Sequence, residues 1–438
     1  MTNLSQKTIK KEKLSNRGSI FVWTLFDFAN TSFSIVVVTF LFAVYFKETV
    51  AAGKPIGDLY WSFGTSIAMV ITAFISPVLG AIADHSAGKK RFLLFFTILC
   101  IIATASLYFV GDGDILLAII LFVLANVGFE AGLVFYDAFL PELTSPKNYG
   151  RVSGYGFGMG YIGSLATLAL CFPLIQKEMI KETFPLAALF FLVFSLPLFI
   201  FLKDHRTKLK GKINYFQVGF KRVFSTIKHL KSYKNLGIFL LAFFFYIEGV
   251  NTVIFFSGNY ASTTLGFSIG ELIVFFLIVQ STAIVGSIIF GIMADSFGQK
   301  LTIITSLIIW IVIMGFAFFT SNADSVLIQF LSGLFNSETL EMQKDTFYFV
   351  GLVAGLVMGA TQSTSRSLMS TLTPPDKKTE FFGFYSFFGK SSAIIGPLVF
   401  GYISYATGSQ SWAILSTTFF FVTGMLILSF VKEEKVSV

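Results

Sequence analysis

Long apolar runs separated by short polar segments make up most of the chain. Each run is close to the roughly 20 residues that a helix needs to cross the hydrocarbon core of a bilayer. The runs lie near residues 20–46, 59–83, 92–110, 115–140, 150–175, 183–202, 236–260, 269–294, 301–320, 346–370, 380–406 and 411–431. This pattern predicts an all-α membrane protein with twelve transmembrane helices.

The runs form two sets of six, joined by a basic segment. We predict an N-terminal six-helix bundle over 1–202, a basic linker over 203–235 and a C-terminal six-helix bundle over 236–438. Within the linker, apolar residues recur at helical spacing between lysines and arginines, which is typical of helices on an anionic membrane surface. Docking of a partner protein is the alternative. The apolar positions are Ile213, Phe216, Phe220, Val223, Ile227 and Leu230.

Polar positions repeat between the two predicted bundles. Asp27 and Asn30 in the first run have counterparts 221 positions later, Glu248 and Asn251 in the seventh run. In each pair the two residues lie three positions apart and therefore on one face of a helix. Carboxylates are costly inside a bilayer, so residues of this kind usually mark a pathway for a solute or ion.

Three further polar residues lie inside the runs: Asn126 and Glu130, one helical turn apart in the fourth, and Lys390 in the eleventh. We predict that these residues and the two repeated pairs bind substrate or protons. A buried carboxylate takes up a proton more readily than an exposed one, which would suit a proton relay. It could equally hold a substrate ammonium group. The alternative is that these residues form buried ion pairs that only fix the packing.

A second repeat follows the second and eighth runs, where Gly80-Ala-Ile-Ala-Asp84 and Gly291-Ile-Met-Ala-Asp295 precede basic residues. Glycines allow tight turns and close helix contact, and an aspartate can cap the N-terminus of a neighbouring helix. Such contacts would hold the cytoplasmic side shut until they break. The predicted gating residues are Asp84, Arg91, Asp137, Asp295, Lys300 and Arg366.

Composition and charge agree with a membrane protein. The 438 residues are 55% hydrophobic, and only 13% are charged, about half the share of a soluble protein. The net charge of +8 comes from lysines and arginines concentrated on one side of the predicted spans, which indicates cytoplasmic termini in the cell (inner) membrane and no nucleic-acid partner. The exceptions on the opposite side are Lys47, Lys54, Lys177, Lys181 and Lys344.

Signatures of enzymes, metal sites and cofactors are absent from the sequence. It contains no GxSxG or HExxH motif, and Cys100 and Cys171 lie alone in apolar runs. The stretch Gly158-Met-Gly160-Tyr-Ile-Gly163 matches GxGxxG but follows no strand, so we interpret it as a surface for close helix packing. We therefore expect no enzymatic activity, no metal and no cofactor.

With these features the chain resembles the major facilitator superfamily (MFS), and within it the vacuolar amino-acid effluxer-like branch, the autophagy-related permeases. The resemblance rests on the two glycine–aspartate loops and on motifs in both halves. These motifs are Trp23–Phe33, Tyr136–Glu142, Arg151–Gly156, Ser365-Arg366-Ser367, Glu380–Tyr385 and Gly396-Pro397. The first loop departs from the usual spacing by one residue between Asp84 and Gly88.

We predict a monomeric permease that moves a small solute by alternating access between two six-helix bundles. The resemblance implies an amino acid or similar zwitterion as substrate and movement in the efflux direction. Proton coupling would fit the buried carboxylates. An uncoupled facilitator, an exporter of hydrophobic compounds and a non-transporting membrane receptor are the alternatives.

Overall fold

The computed structural model describes residues 2–54, 56–204, 215–228, 230–393 and 395–433, which contain helices and no strand. The part of the predicted linker stripe that includes Ile213 lies outside these residues. The chain divides into two compact units. Unit 1 comprises Met1–Leu230 with Thr373–Phe387, and unit 2 comprises Lys231–Leu372 with Phe388–Val438.

Unit 1 is built from the helices of the first half of the chain. Its first helix continues past Phe33 as a π-helical turn, Ser34–Thr39, and breaks at Phe40 before α2 begins. A helix in the predicted linker also belongs to this unit. The helices are α1 (Thr2–Phe33), α2 (Leu41–Tyr45), α3 (Ile56–Ile82), α4 (Lys89–Ser106), α5 (Ile115–Asp137), α6 (Leu140–Leu143), α7 (Tyr149–Gln176), α8 (Ile180–Phe201) and α9 (Tyr215–Lys228).

Unit 2 holds most of the second half. The helices are α10 (Lys234–Thr263), α11 (Ile269–Phe297), α12 (Gln299–Thr320), α13 (Val326–Phe335), α14 (Thr339–Leu372), α15 (Lys378–Ser392), α16 (Ile395–Thr407) and α17 (Gln410–Ser429). Residues of α15 up to Phe387 belong to unit 1, and the remainder of this helix belongs to unit 2. The boundary between the units thus runs through a helix that the sequence assigns to one bundle.

Within the described residues, eleven helices are long and apolar enough to cross a membrane. The predicted eleventh span, 380–406, is not among them because it consists of α15 and α16, each shorter than a full span. Pro397 follows the interruption, and a proline cannot donate the backbone hydrogen bond that a continuous helix requires there. The expected all-α membrane fold is confirmed, with a discontinuous helix in place of one straight span.

The two glycine–aspartate loops make corresponding turns in the two units. Gly88 (φ 75°) precedes α4 and Gly298 (φ 102°) precedes α12, and both have backbone conformations that favour glycine. In unit 1 the backbone N–H of Lys90 donates to Asp204. In unit 2 the N–H groups of Gln299 and Lys300 donate to Glu433.

Candidate functional site

The Asp84 end of α3 holds the N-terminus of α15 within unit 1. Oδ1 of Asp84 accepts the backbone N–H of Thr379 at 3.0 Å, and Oδ2 accepts that of Glu380 at 2.8 Å. A carboxylate at a helix N-terminus satisfies backbone donors and interacts favourably with the helix dipole. At Gly80 a Cβ atom would overlap the carbonyl of Thr379, so glycine is needed for this approach.

A second contact at this end centres on Lys89, whose side chain is buried. Its Nζ donates to the carbonyl of Ala138 at 2.7 Å and to Oε1 of Glu142 at 2.8 Å. Nζ of Lys378, at the start of α15, lies 3.7 Å from the same carboxylate oxygen. Glu142 therefore joins α4 and α15 through two cations.

The predicted gating residues separate into different environments. Asp84 contacts α15 directly, whereas Arg91 is exposed and has no hydrogen bond or ion pair with the described part of the chain. Nζ of Lys300 donates to the carbonyls of Ser429 and Val431 and thus ties α12 to the end of α17. Asp137 and Asp295 are half-buried, and Arg366 is buried in α14.

Asp27 and Asn30 lie on a stretch of α1 that faces α5. Trp23 and Tyr136 stack with ring centroids 4.6 Å apart, and Phe33 and Phe129 lie 5.1 Å apart. These two contacts bracket Asp27 and Asn30, which are both buried. Nδ2 of Asn30 lies 3.5 Å from Oδ1 of Asp27, so the predicted pair interacts directly.

The α5 helix adds Asn126 and Glu130, which are also buried. Neither amide atom of Asn126 has a hydrogen-bond partner among the described residues, although the residue is only 1% exposed. Burying a polar group without a partner costs about 1–3 kcal/mol, and most such groups in folded proteins are satisfied. An amide left in this state is a candidate for binding a solute.

The glycines of the GxGxxG match pack against α1. A Cβ at Gly163 would overlap the carbonyl of Phe28, and Thr31 donates to the carbonyl of Gly160 at 2.8 Å. These glycines let α7 approach the helix that carries Asp27 and Asn30. The packing interpretation agrees with these contacts.

In unit 2, Glu248 of α10 lies against the beginning of α16. Its Oε1 accepts from Oγ1 of Thr252 at 3.2 Å and lies directly against Gly396, in the first turn of α16. The first turn of a helix has N–H groups without intrahelical partners, so a carboxylate is stabilised there. Glu248 is 0% exposed, and its Oε2 has no partner among the described residues.

The other two predicted binding residues of unit 2 lie on the helices that flank this contact, α10 and α15. Asn251 is half-buried on α10, and Lys390 is half-buried in the last turn of α15, just before the interruption. The hydroxyl of Tyr246 lies 2.7 Å from Oγ of Ser365, next to the buried Arg366. The interruption of the helix therefore lies between Lys390, in the last turn of α15, and Gly396, in the first turn of α16.

Several residues of these clusters were not predicted from the sequence. Gly396 contacts Glu248, and Asp204 and Glu433 cap α4 and α12. Gly396-Pro397 in the middle of an apolar run is a signal that could have predicted the interruption. The capping carboxylates follow the last helix of each half and carry no local signal. No group of His, Cys, Asp and Glu among the described residues could hold a metal ion.

Comparison with known proteins identifies the family. The profile of the family described as "Vacuole effluxer Atg22 like" matches residues 60–438, most of the chain. The chain belongs to this family. It is 33% identical to the uncharacterized MFS-type transporter YxiO of Bacillus subtilis, over 94% of both chains. It is 23% identical to autophagy-related protein 22 of Coccidioides immitis, over 77% of this chain and 66% of the fungal protein.

Solved structures with the same fold are MFS transporters. The human organic anion transporter MFSD10 (TETRAN) aligns with a TM-score of 0.71 at 15% identity, over 94% of this chain and 99% of that one. The proton:xylose symporter XylE aligns with a TM-score of 0.70 at 13% identity, over 96% of both chains. The Atg22-like protein is therefore a multi-pass membrane permease of the MFS and not an enzyme, as the sequence predicts.

Proposed function

We propose that this Atg22-like permease moves an amino acid or similar zwitterion by alternating access, coupled to protons and in the efflux direction. The observation that carries the proposal is the buried carboxylate of Glu248, one oxygen of which has no partner among the described residues. Inside a membrane span such a group is costly unless it serves an ion or a solute. The unpaired amide of Asn126 supports the same conclusion for unit 1.

The polar groups of unit 1 suit the ammonium end of a zwitterion. The carboxylates of Asp27 and Glu130 provide negative charge, and the side-chain carbonyls of Asn30 and Asn126 can accept hydrogen bonds from an ammonium group. In unit 2, Asn251 and Lys390 offer donors for a carboxylate. We assign these residues to solute binding.

Glu248 is the proposed proton site. The ionised carboxylate lies beside Gly396 in the first turn of α16, where the helix dipole stabilises a negative charge, and protonation at Oε2 would neutralise it. A neutral carboxyl group loses this stabilisation, so uptake of a proton would loosen the start of α16. Release of the proton would restore the contact. Movement of a discontinuous helix would in this way follow the protonation state of one residue.

The Asp84–α15 contact is the proposed cytoplasmic gate. It joins the end of α3 to the start of α15 by two backbone hydrogen bonds, and Glu142 adds its contacts with Lys89 and Lys378. Opening toward the cytoplasm requires these contacts to break. The excess of lysine and arginine at this end supports an orientation with cytoplasmic termini in the cell (inner) membrane.

Flux measurements in proteoliposomes test the proposal. Purified protein is screened with labelled amino acids, and accumulation is measured with and without an imposed pH gradient. We expect uphill movement of at least one amino acid only when the gradient is present. Flux that ignores the gradient would favour an uncoupled facilitator, and flux only of hydrophobic compounds would favour the exporter.

Substitutions separate the proton role from solute binding. Glu248→Gln keeps an oxygen acceptor for Thr252 but cannot titrate, so we expect solute exchange to continue and uphill accumulation to be lost. Asp27→Asn should weaken both solute exchange and uphill accumulation. The exposed Asp324 provides the control, because Asp324→Asn removes the same charge outside the spans and should change neither activity. Uphill accumulation by the Glu248→Gln variant would remove this residue from the coupling mechanism.

A further inference from the structure

The linker helix α9 has one face against the bundle of unit 1. A Cβ at Gly219 would overlap the side chain of Ile82 and approach the carbonyl of Val78 within 3.0 Å, so α9 contacts the last turns of α3 at close range. Two turns further along, Thr226 is only 3% exposed. Gly219 and Thr226 lie seven residues apart and therefore share this face.

The opposite face of α9 is aromatic and basic. Phe220 is 60% exposed and Phe224 is 71% exposed, and the exposed Lys221 and Lys228 flank them. Nη1 of the half-buried Arg222 has no hydrogen-bond partner among the described residues. Cations beside exposed aromatic side chains on a helix match the headgroup and upper acyl region of an anionic lipid leaflet.

A chain of hydrogen bonds connects α9 to the proposed gate. The hydroxyl of Thr226 donates to Oε1 of Glu380 and accepts from Nζ of Lys377 at 2.7 Å. Glu380 is 0% exposed, and its backbone N–H is one of the two donors that Asp84 accepts. Thr226 therefore contacts the same residue of α15 that Asp84 holds.

We propose that the outer face of α9 binds anionic phospholipid headgroups and that this binding stabilises the Asp84–α15 contact through Thr226 and Glu380. The inner and outer faces are on opposite sides of the helix, so α9 can contact α3 and the lipid at the same time. Lipid binding and gate closure therefore reinforce each other. An anionic leaflet would favour the closed gate, and a neutral leaflet would favour opening.

The experiment measures gate opening without any transported solute. Ser386 of α15 lies 3.5 Å from Ser76 of α3, so a cysteine there is protected while the two helices are in contact. The S386C variant is reconstituted in vesicles of neutral phosphatidylcholine or of phosphatidylcholine with phosphatidylglycerol. We then compare, between the neutral and the anionic vesicles, the rate at which a membrane-impermeant maleimide alkylates this cysteine. The natural Cys100 and Cys171 are buried. Alkylation of the protein without the S386C substitution gives the background rate of these two cysteines.

We expect anionic lipid to slow alkylation of S386C, by up to roughly five-fold for each lysine that binds headgroups. Adding K221Q and K228Q should abolish the difference between lipids, as should high salt. T226V should give fast alkylation in both lipids, because valine keeps the shape and removes the hydroxyl. T226S restores the hydroxyl and should behave as the S386C parent does.

Three outcomes would overturn the proposal. These are equal alkylation in neutral and anionic vesicles, a lipid effect that survives K221Q/K228Q, and a lipid effect that survives T226V. The first outcome, combined with faster alkylation in K221Q/K228Q, would mean that the two lysines hold the gate through contacts within the protein and not through lipid. The proposal rests on the gate role of Asp84 proposed above. Because the assay involves no solute or pH gradient, its failure is distinguishable from a failure of the proposed transport.

Discussion

Gly396 lies so close to the carboxylate of Glu248 that any side chain at this position would overlap it. A Cβ there would overlap Oε1 of Glu248 and Oγ1 of Thr252. The absence of a side chain is therefore what allows α16 to begin beside the carboxylate. The repeated acidic position of the seventh run is thereby bound to the interrupted helix.

The Gly396→Ala variant should displace Glu248 from the start of α16. We expect a loss of about 1–3 kcal/mol in stability, the usual cost of overpacking, together with the loss of proton-driven accumulation. Thermal unfolding in detergent and flux in proteoliposomes measure the two effects. Gly401→Ala in the same helix is the control, since a Cβ there meets nothing within 4 Å. Unchanged unfolding and flux in Gly396→Ala would mean that the contact is not required.

The buried amide of Asn126 should serve function at the expense of stability. Asn126→Leu replaces it with an apolar side chain of similar size and removes the cost of an unpaired buried amide, about 1–3 kcal/mol. We expect the variant to unfold at the same or a higher temperature than the parent and to transport poorly.

Thr97→Val in α4 is the matched control for Asn126→Leu. Oγ1 of Thr97 is likewise buried without a partner among the described residues, but it has no assigned role. This variant should equal or exceed the parent in stability with unchanged flux. Full flux in Asn126→Leu would exclude the amide from the solute site.

Asp84 should control how readily α15 separates from α3. Asp84→Ala removes both acceptors of the α15 cap, a change worth about 0.5–2 kcal/mol, so alkylation of S386C should quicken by roughly two-fold to thirty-fold. Asp204→Ala removes the cap of α4 and leaves the cap of α15 in place. The Asp204→Ala protein should be less stable than the parent, but alkylation of S386C in it should not be faster. Equal alkylation in the two variants would argue against a gate at Asp84.

The sequence predicts the spans well because each must present enough apolar residues to cross a bilayer, which is a local property. It also predicts the Asp27–Asn30 pair, because residues three positions apart share a helix face. The partners of Glu248 depend on where a helix breaks. The caps from Asp204 and Glu433 depend on contacts between distant segments. A single sequence carries no direct signal for such contacts.

The linker helix α9 shows the same difference between a local property, which the sequence predicts, and a contact with a distant segment, which it does not. Its apolar periodicity groups Phe220 with Val223 on one stripe, yet Phe220 is exposed and Val223 is half-buried. The face that packs on α3 is instead set by Gly219, which permits close approach, and by Thr226, which finds a polar partner in Glu380. Periodicity identifies an amphipathic helix, but a small residue and one hydrogen bond determine its orientation.

Lys89 and Glu142 should behave as a coupled pair. Glu142→Gln leaves the Lys89 ammonium, whose side chain is 7% exposed, with the carbonyl of Ala138 but without a carboxylate in hydrogen-bond contact. Removing one member of a fully buried ion pair costs about 3–5 kcal/mol. The 23% exposure of the Glu142 side chain should reduce the loss below that range.

Lys89→Met in the same protein should recover most of the stability lost in Glu142→Gln, because an apolar side chain of similar length needs no counter-charge. Thermal unfolding of the parent, the two single variants and the double variant gives the coupling energy. Exposed Lys47, outside this cluster, provides the control, and Lys47→Met should not rescue Glu142→Gln. Losses that simply add in the double variant would show that the pair does not stabilise this end of unit 1. Glu142 would then act only through Lys378.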